Sequence, residues 1–530
     1  MISVKRWLNS KEGKKRLRVG IRNAYGKYYE KSRKKRSYLR SLLKMHKNAY
    51  GNQHCIIIRV PGRVNLMGRH IDHQGGMVNL IAIDKEIFFV ASPRNDHQFI
   101  IQNFNSKKFP EFQFTGQFPP SILQKSWHKI IKDIKLMNSL RDASGAWSNY
   151  FKGAFYQLAH YFKEYELKGG NISVLGTIPL AAGLSSSSAL TIGMMKTITE
   201  LNDLHPSQKE IINLSASAEW FVGTRGGSGD HAAITLSKKN KVIQYSPSKK
   251  QIIKIAPFPK DYQILICMSN IPAEKSGKKR DLFNAKVLAY KVGVYLFQKQ
   301  YPQFANKIQQ VDDLRPTKLN ITDLKLLKML KKIPYTVKYK ELPNIFGNEW
   351  HLLEDQFPFS SPPNLLFIRD ILIYGIAECI RSYDFINFLH KGQLDSIGKL
   401  MKISHNGDRV MSYNNELKAK PYQLTYSKTY IDYLLKEKRN QKEKWNFKEI
   451  PGRYRCSIKQ IDFLVDICHQ NEGVLGAQIV GAGLGGSCIA LARKSYIKPL
   501  TKKLKRKYQT QFNLQCEVYL LKPVEKFSLF

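Results

Sequence analysis

The chain has 530 residues, a hydrophobic fraction of 43% and a formal net charge of +45, which admits two or more domains around an ordinary buried core. No apolar run reaches the roughly 18–20 residues of a membrane-spanning helix, and the basic opening MISVKRWLNSKEGKKRLR lacks the apolar stretch of a secretory signal. Seven cysteines stand singly with no C-x-x-C pair, so disulfide and zinc frameworks are set aside in favour of buried thiols in a reducing cytoplasm.

In chain order, residues 1–40 read as a basic extension of helical character, bearing KKRLR and KSRKKR. Such segments can meet the phosphates of a nucleic acid or of an anionic membrane. Lysine is also plentiful in later stretches such as LKLLKMLKK, so a diffuse solvated surface is favoured and a nucleic-acid partner is not. Residues 41–50 read as helix leading into a β-branched strand at 55–60, with a second strand over 81–91. Helical periodicity marks 147–162 and 207–221, and 262–268 reads as a buried strand. Residues 303–363, rich in lysine and punctuated by Pro and Asn, read as a surface insertion with helices.

Four segments carry chemistry. The run GTIPLAAGLSSSSAL at 176–190 follows a short strand and precedes a stretch of helix formers. Gly183 and Leu184 form its turn, and Ser185, Ser186, Ser187 and Ser188 offer hydroxyls. Close backbone approach, unpaired N–H groups and a positive helix end all suit a phosphate, although no lysine follows as in a P-loop. The segment AEWFVGTRGGSGDHAAI at 218–234 supplies two carboxylates, Glu219 and Asp230, around a glycine-rich loop containing Gly227. Phosphoryl transfer to an alcohol needs a cation on the phosphates and a group that orients or deprotonates the hydroxyl. Near the start stands RVPGRVNLMGRHIDHQGGMVNLIAID at 59–84, and near the end GAGLGGSCIAL at 481–491, a flexible loop between apolar strands.

Together these segments resemble the motifs of the GHMP kinases, and the one at 59–84 is similar to the galactokinase branch. The resemblance implies an α+β, two-lobed fold with ATP and sugar in the cleft between the lobes. The lobes would span 41–255 and 256–530. It implies an ATP- and Mg²⁺-dependent kinase acting on the anomeric hydroxyl of a galactose-like hexose or hexuronic acid. Gly183 to Ser188 would hold ATP, and Ser187 with Glu219 would hold Mg²⁺. Asp230 would face the reacting hydroxyl with Arg63 as its cation. His70, Asp72 and Gly227 would bind sugar beside Asp230, and Gly481, Gly483, Gly485 and Gly486 would complete the pocket wall.

Two departures bear on the sugar. Galactokinases have glutamate where this chain has Arg69, and HIDHQGG resembles galacturonokinases, so Arg69 is expected either to bind a sugar carboxylate or to point to solvent. Phe283 stands near a position where the family often has a sugar-contacting tyrosine. The alternative to a kinase is a non-catalytic sugar- or ATP-binding regulator that uses the basic extension on a partner.

Overall fold

The computed structural model describes every residue except 118–119, 224–225, 274–276, 355, 358 and 441–444. The strand expected at 55–60 runs over His54–Met67 and pairs antiparallel with Val78–Pro93, Ile57 lying opposite Val90 and Arg63 opposite Ala82. A register shift falls between Pro61 and Arg63, where a proline without N–H interrupts the ladder. Gly170–Gly176 and Lys241–Ser246 also pair with Val78–Pro93. Beyond Gly170–Gly176 lie Gln98–Asn103, its parallel neighbour, and then Phe112–Thr115.

The central strands are apolar on both faces, so alternation divides them between two cores. Ile56, Ile58 and Val60 belong to a core that includes residues of helices Ser148–Tyr161 and Ser186–Leu201. Cys55 and Ile57 belong to the other core, and the N-terminal segment supplies its lid. Helices Val4–Asn9, Lys11–Tyr25 and Ser32–Tyr50 bury Trp7, Leu17, Ile21, Leu39, Leu42 and Leu43 there. The Trp7 indole donates to the Cys55 carbonyl at 3.3 Å, and Ile2–Ser3 adds an edge strand to the sheet.

Residues 1–40 are therefore a layer of the fold, with most of their cations on outward helical positions. Lys35 is the inward exception. Its ammonium pairs with the fully buried Glu86, which also accepts from Arg59 Nε at 3.1 Å.

A second, antiparallel sheet has the order Val474–Ile479, Ser487–Arg493, Tyr262–Met268, Glu517–Leu521. Helices Lys459–His469 and Ile497–Phe512 pack on it. Gln251–Pro257 belongs to the first sheet and Tyr262–Met268 to the second. Residues 303–363 contribute Val311, Leu326, Leu327 and Leu330 to a core shared with the long helices Gly277–Gln300 and Ile368–His390. The chain finally returns to the first sheet, where Pro523–Val524 pairs with Val78–Pro93 and Ser528–Leu529 with His54–Met67. All seven cysteines are buried and free.

Candidate active site

A cavity of about 460 Å³ lies where the first strand pair, the serine loop and the loop between Val474–Ile479 and Ser487–Arg493 meet. The serine loop is built on left-handed backbone: Ala181, Gly183 and Ser185 have φ of 52°, 74° and 58°. Ser185 then caps helix Ser186–Leu201, whose first N–H groups have no partners within the helix and form a natural seat for an anion. The other glycine loop touches this one backbone to backbone. A Cβ on Gly183 would lie 2.8 Å from the Val480 carbonyl oxygen, and one on Gly481 would lie 2.8 Å from Gly183 Cα. Ser487 Oγ donates to the Ala182 carbonyl at 2.5 Å.

Gly481 and Gly483 line the cavity as expected. Gly485 and Gly486 instead brace the loop from behind: the Gly486 N–H donates to Ile271 at 2.7 Å, and a Cβ on Gly485 would meet the Pro272 carbonyl at 2.5 Å.

Arg63 and Asp230 meet at the cavity floor. Arg63 Nε and Nη2 donate to the two Asp230 oxygens at 2.5 and 2.6 Å, and Nη1 donates to the Gly183 carbonyl at 2.6 Å. Ser185 Oγ also donates to Asp230. Asp230 sits in the first turn of helix Gly229–Leu236, where a negative charge is favoured. The glycine loop before it includes residues 224–225, which lie outside the described residues.

Glu219 follows helix Gln208–Ala218 and lines the same cavity. Of the serines, Ser185, Ser186 and Ser187 line the cavity, whereas Ser188 is buried and donates to Glu219 Oε1 at 2.7 Å. His231 Nε2 lies 3.3 Å from the same oxygen.

On the opposite side, Asp72 accepts the Gly229 N–H at 3.2 Å. A Cβ on Gly227 would lie 2.3 Å from Asp72 Oδ2, so only glycine fits there without moving the carboxylate. His70 adopts a left-handed φ of 62° and stacks on Tyr454, with centroids 4.2 Å apart. Burial, reinforced by the Arg69 charge, pushes its imidazole well below the usual histidine range.

Arg69 does not face solvent: it lines the cavity, with its Nε and Nη1 lacking a hydrogen-bond partner among the described residues. It is 2% exposed, and its Nη2 reaches Asp408 Oδ2 at 2.8 Å and Ser404 Oγ at 3.0 Å. Burial opposes its charge, but Tyr374, Asp408 and Glu378 outweigh burial and push the guanidinium up. One face of the guanidinium is thus held by the protein's own carboxylate through Nη2. His70, Asp408 and Cys456 also come within 4.8 Å of one another. Arg69 already occupies that aspartate, and burial pushes the Cys456 thiol up to about 12, so the cluster lacks the chemistry of a cation site.

Sequence reasoning passed over Asn284 and Arg280, both lining the cavity from helix Gly277–Gln300. They lie on a helix with no motif of its own, and only their spacing of four residues, which puts them on one face, hinted at a shared role.

Residues 44–93 match the family model described as the galactokinase galactose-binding signature, 149–238 the GHMP kinases N terminal domain, and 434–510 the GHMP kinases C terminal. Fold and site together define a GHMP kinase.

A galactokinase of Pyrococcus furiosus is 24% identical over 88% of this chain and 97% of the relative. One of Dictyostelium discoideum is 24% identical over 90% and 88%. The crystal structure of Lactococcus lactis galactokinase complexed with galactose superposes with a TM-score of 0.64 at 20% identity, covering 93% of this chain and 99% of that one, and shares the fold. Over most of its length the chain is similar to the galactokinase branch of the GHMP kinase superfamily.

Proposed function

We propose that this enzyme transfers the γ-phosphoryl group of ATP to the anomeric hydroxyl of galactose. The observation that carries the reading is the Arg63–Asp230 pair, set between the serine loop and the Asp72 turn. The printed names of the relatives and the galactose-binding description of residues 44–93 support the same substrate.

The serine hydroxyls and the N–H groups opening helix Ser186–Leu201 receive the phosphates of ATP. Ser187 and Glu219 offer hard oxygen donors at the cavity, a set that fits Mg²⁺. When bound, that ion neutralises charge on the transferring phosphoryl group. Asp230 accepts the hydrogen of the sugar hydroxyl while its oxygen bonds to the γ-phosphorus and ADP departs. Arg63 fixes both oxygens of that carboxylate and ties them to the Gly183 backbone, so most of the catalytic contribution is positioning and electrostatics.

A neutral sugar is favoured over galacturonate on the galactose-binding description of residues 44–93 and the printed names of the relatives. A non-catalytic regulator is not favoured, since Arg63, Asp230, Glu219 and the serine loop all converge on one cavity. ADP release with Mg²⁺ and ATP, measured against galactose, N-acetylgalactosamine and galacturonate, tests the reading. Preference for galactose supports it, and silence toward every sugar with ATP still bound overturns it.

A further inference from the structure

One side chain in the cavity wall has no structural occupation. Asn284, on helix Gly277–Gln300, is 1% exposed, and among the described residues neither its Nδ2 nor its Oδ1 has a hydrogen-bond partner. A buried unpaired amide is costly, so such groups persist where a ligand or an ordered water completes them. Asn284 lines the same cavity as Asp72 and Asp230, together with two histidines whose Nε2 atoms are also buried without hydrogen-bond partners, His70 and His73. Its neighbour Phe283 lies edge-on to His73, with ring centroids 6.4 Å apart, and supplies an apolar face with no donor. Beside the Arg69 and Arg280 guanidinium groups that also line the cavity, Asn284 offers both hydrogen-bonding senses in a single neutral amide.

Resting on the kinase reading above, we infer that Asn284 is a specificity-determining residue that reads the sugar. Its amide carbonyl accepts from one ring hydroxyl, and its amide nitrogen donates to a neighbouring hydroxyl oxygen. A primary amide spans two adjacent hydroxyls as a donor–acceptor pair, and it discriminates against a sugar lacking either one because the lost partner leaves a buried group unpaired. The carboxylates of the site, Asp72 and Asp230, can only accept; Asn284 adds a neutral donor that does not depend on charge.

The test uses the near-isosteric Asn284→Leu in the full chain. Sugar affinity is read by calorimetry with galactose and its 2-, 3-, 4- and 6-deoxy analogues, alongside ATP affinity and the melting temperature. We expect galactose binding to weaken about tenfold or more, with ATP affinity unchanged and the melting temperature equal or higher, because a buried unpaired group has been removed. We also expect at least one deoxy sugar that binds the native protein poorly to lose little further affinity in the variant, which marks the hydroxyl that Asn284 reads.

Unchanged galactose affinity, or equal losses on every deoxy sugar in both proteins, overturns the assignment. So does a fall in melting temperature that Asn284→Gln restores without restoring sugar affinity, since the amide would then be structural. Absence of galactose binding by the native protein would instead refute the substrate reading on which this one rests.

Discussion

Arg63 holds Asp230 with both a side-on fork and, through Nη1, a tether to the Gly183 carbonyl, although 167 residues separate the pair in sequence. The reacting carboxylate and the phosphate loop are therefore positioned by one guanidinium. Asp230→Asn should reduce turnover by at least about a thousandfold while leaving ATP affinity within a fewfold, because it removes a group used at the reacting hydroxyl and spares the loop. Single-turnover kinetics beside nucleotide titration separates the two effects, and appreciable turnover in the variant would remove Asp230 from its role.

Arg69→Glu should damage the fold more than it changes the substrate. The new carboxylate would stand beside Asp408 and Glu378, both fully buried, where Arg69 now supplies the balancing charge. Breaking such a pair costs about 3–5 kcal/mol. A large drop in melting temperature without a new preference between galactose and galacturonate is the expected result. A stable variant with reversed preference would restore Arg69 to the sugar.

Gly227→Ala tests the sugar side alone. Its methyl would fall 2.3 Å from Asp72 Oδ2 and displace that carboxylate. KM for galactose should rise at least about tenfold with little change in KM for ATP; equal changes in both would mean that Asp72 serves the whole site and not the sugar.

His46 gives the fold an acid weakness. It lies buried between the Ser92 and Ser173 hydroxyls, 3.0 and 2.9 Å away, and burial lowers its pKa to about 4. The unfolded chain binds this proton near pH 6.5 and the folded one only near 4, so stability is complete above pH 6.5 and declines as pH falls through that window. The loss amounts to ~3 kcal/mol by pH 4 for this group. Denaturation of His46→Gln at a series of pH values should show a shallower decline than the native protein, and identical slopes would contradict the assignment.

Trp7→Ala addresses the basic N-terminal segment. A free arm would tolerate the change, but Trp7 is 1% exposed and bonded to Cys55, so a loss of about 3–5 kcal/mol is expected from chemical denaturation.

Much of the site was legible because its chemistry is local. The serine loop, Glu219, Asp230 and Gly481 each sit in short motifs whose residue types announce an anion seat, a carboxylate or a close approach. What stayed hidden depends on distant partners. Nothing near Arg69 in sequence points to Asp408, and Asn284 looks like any polar residue on a helix until the cavity surrounds it. The N-terminal layer was obscured for another reason. With both faces of His54–Met67 apolar, the strand shows no alternation, so nothing in it revealed that a second cover was needed. The lysines of residues 1–40 then dominated the reading over the Trp7, Leu39 and Leu43 stripe beneath them.

The return of Pro523–Val524 and Ser528–Leu529 to the first sheet also sets a timetable for synthesis. The strands they join, Val78–Pro93 and His54–Met67, leave the ribosome more than four hundred residues earlier, so those ladders stay incomplete throughout elongation. For that interval the nascent chain carries unpaired strand positions whose native partner has not yet been made, the state in which pairing with another chain competes. Synthesis of residues 523–529 is thus a folding step for strands made more than four hundred residues earlier.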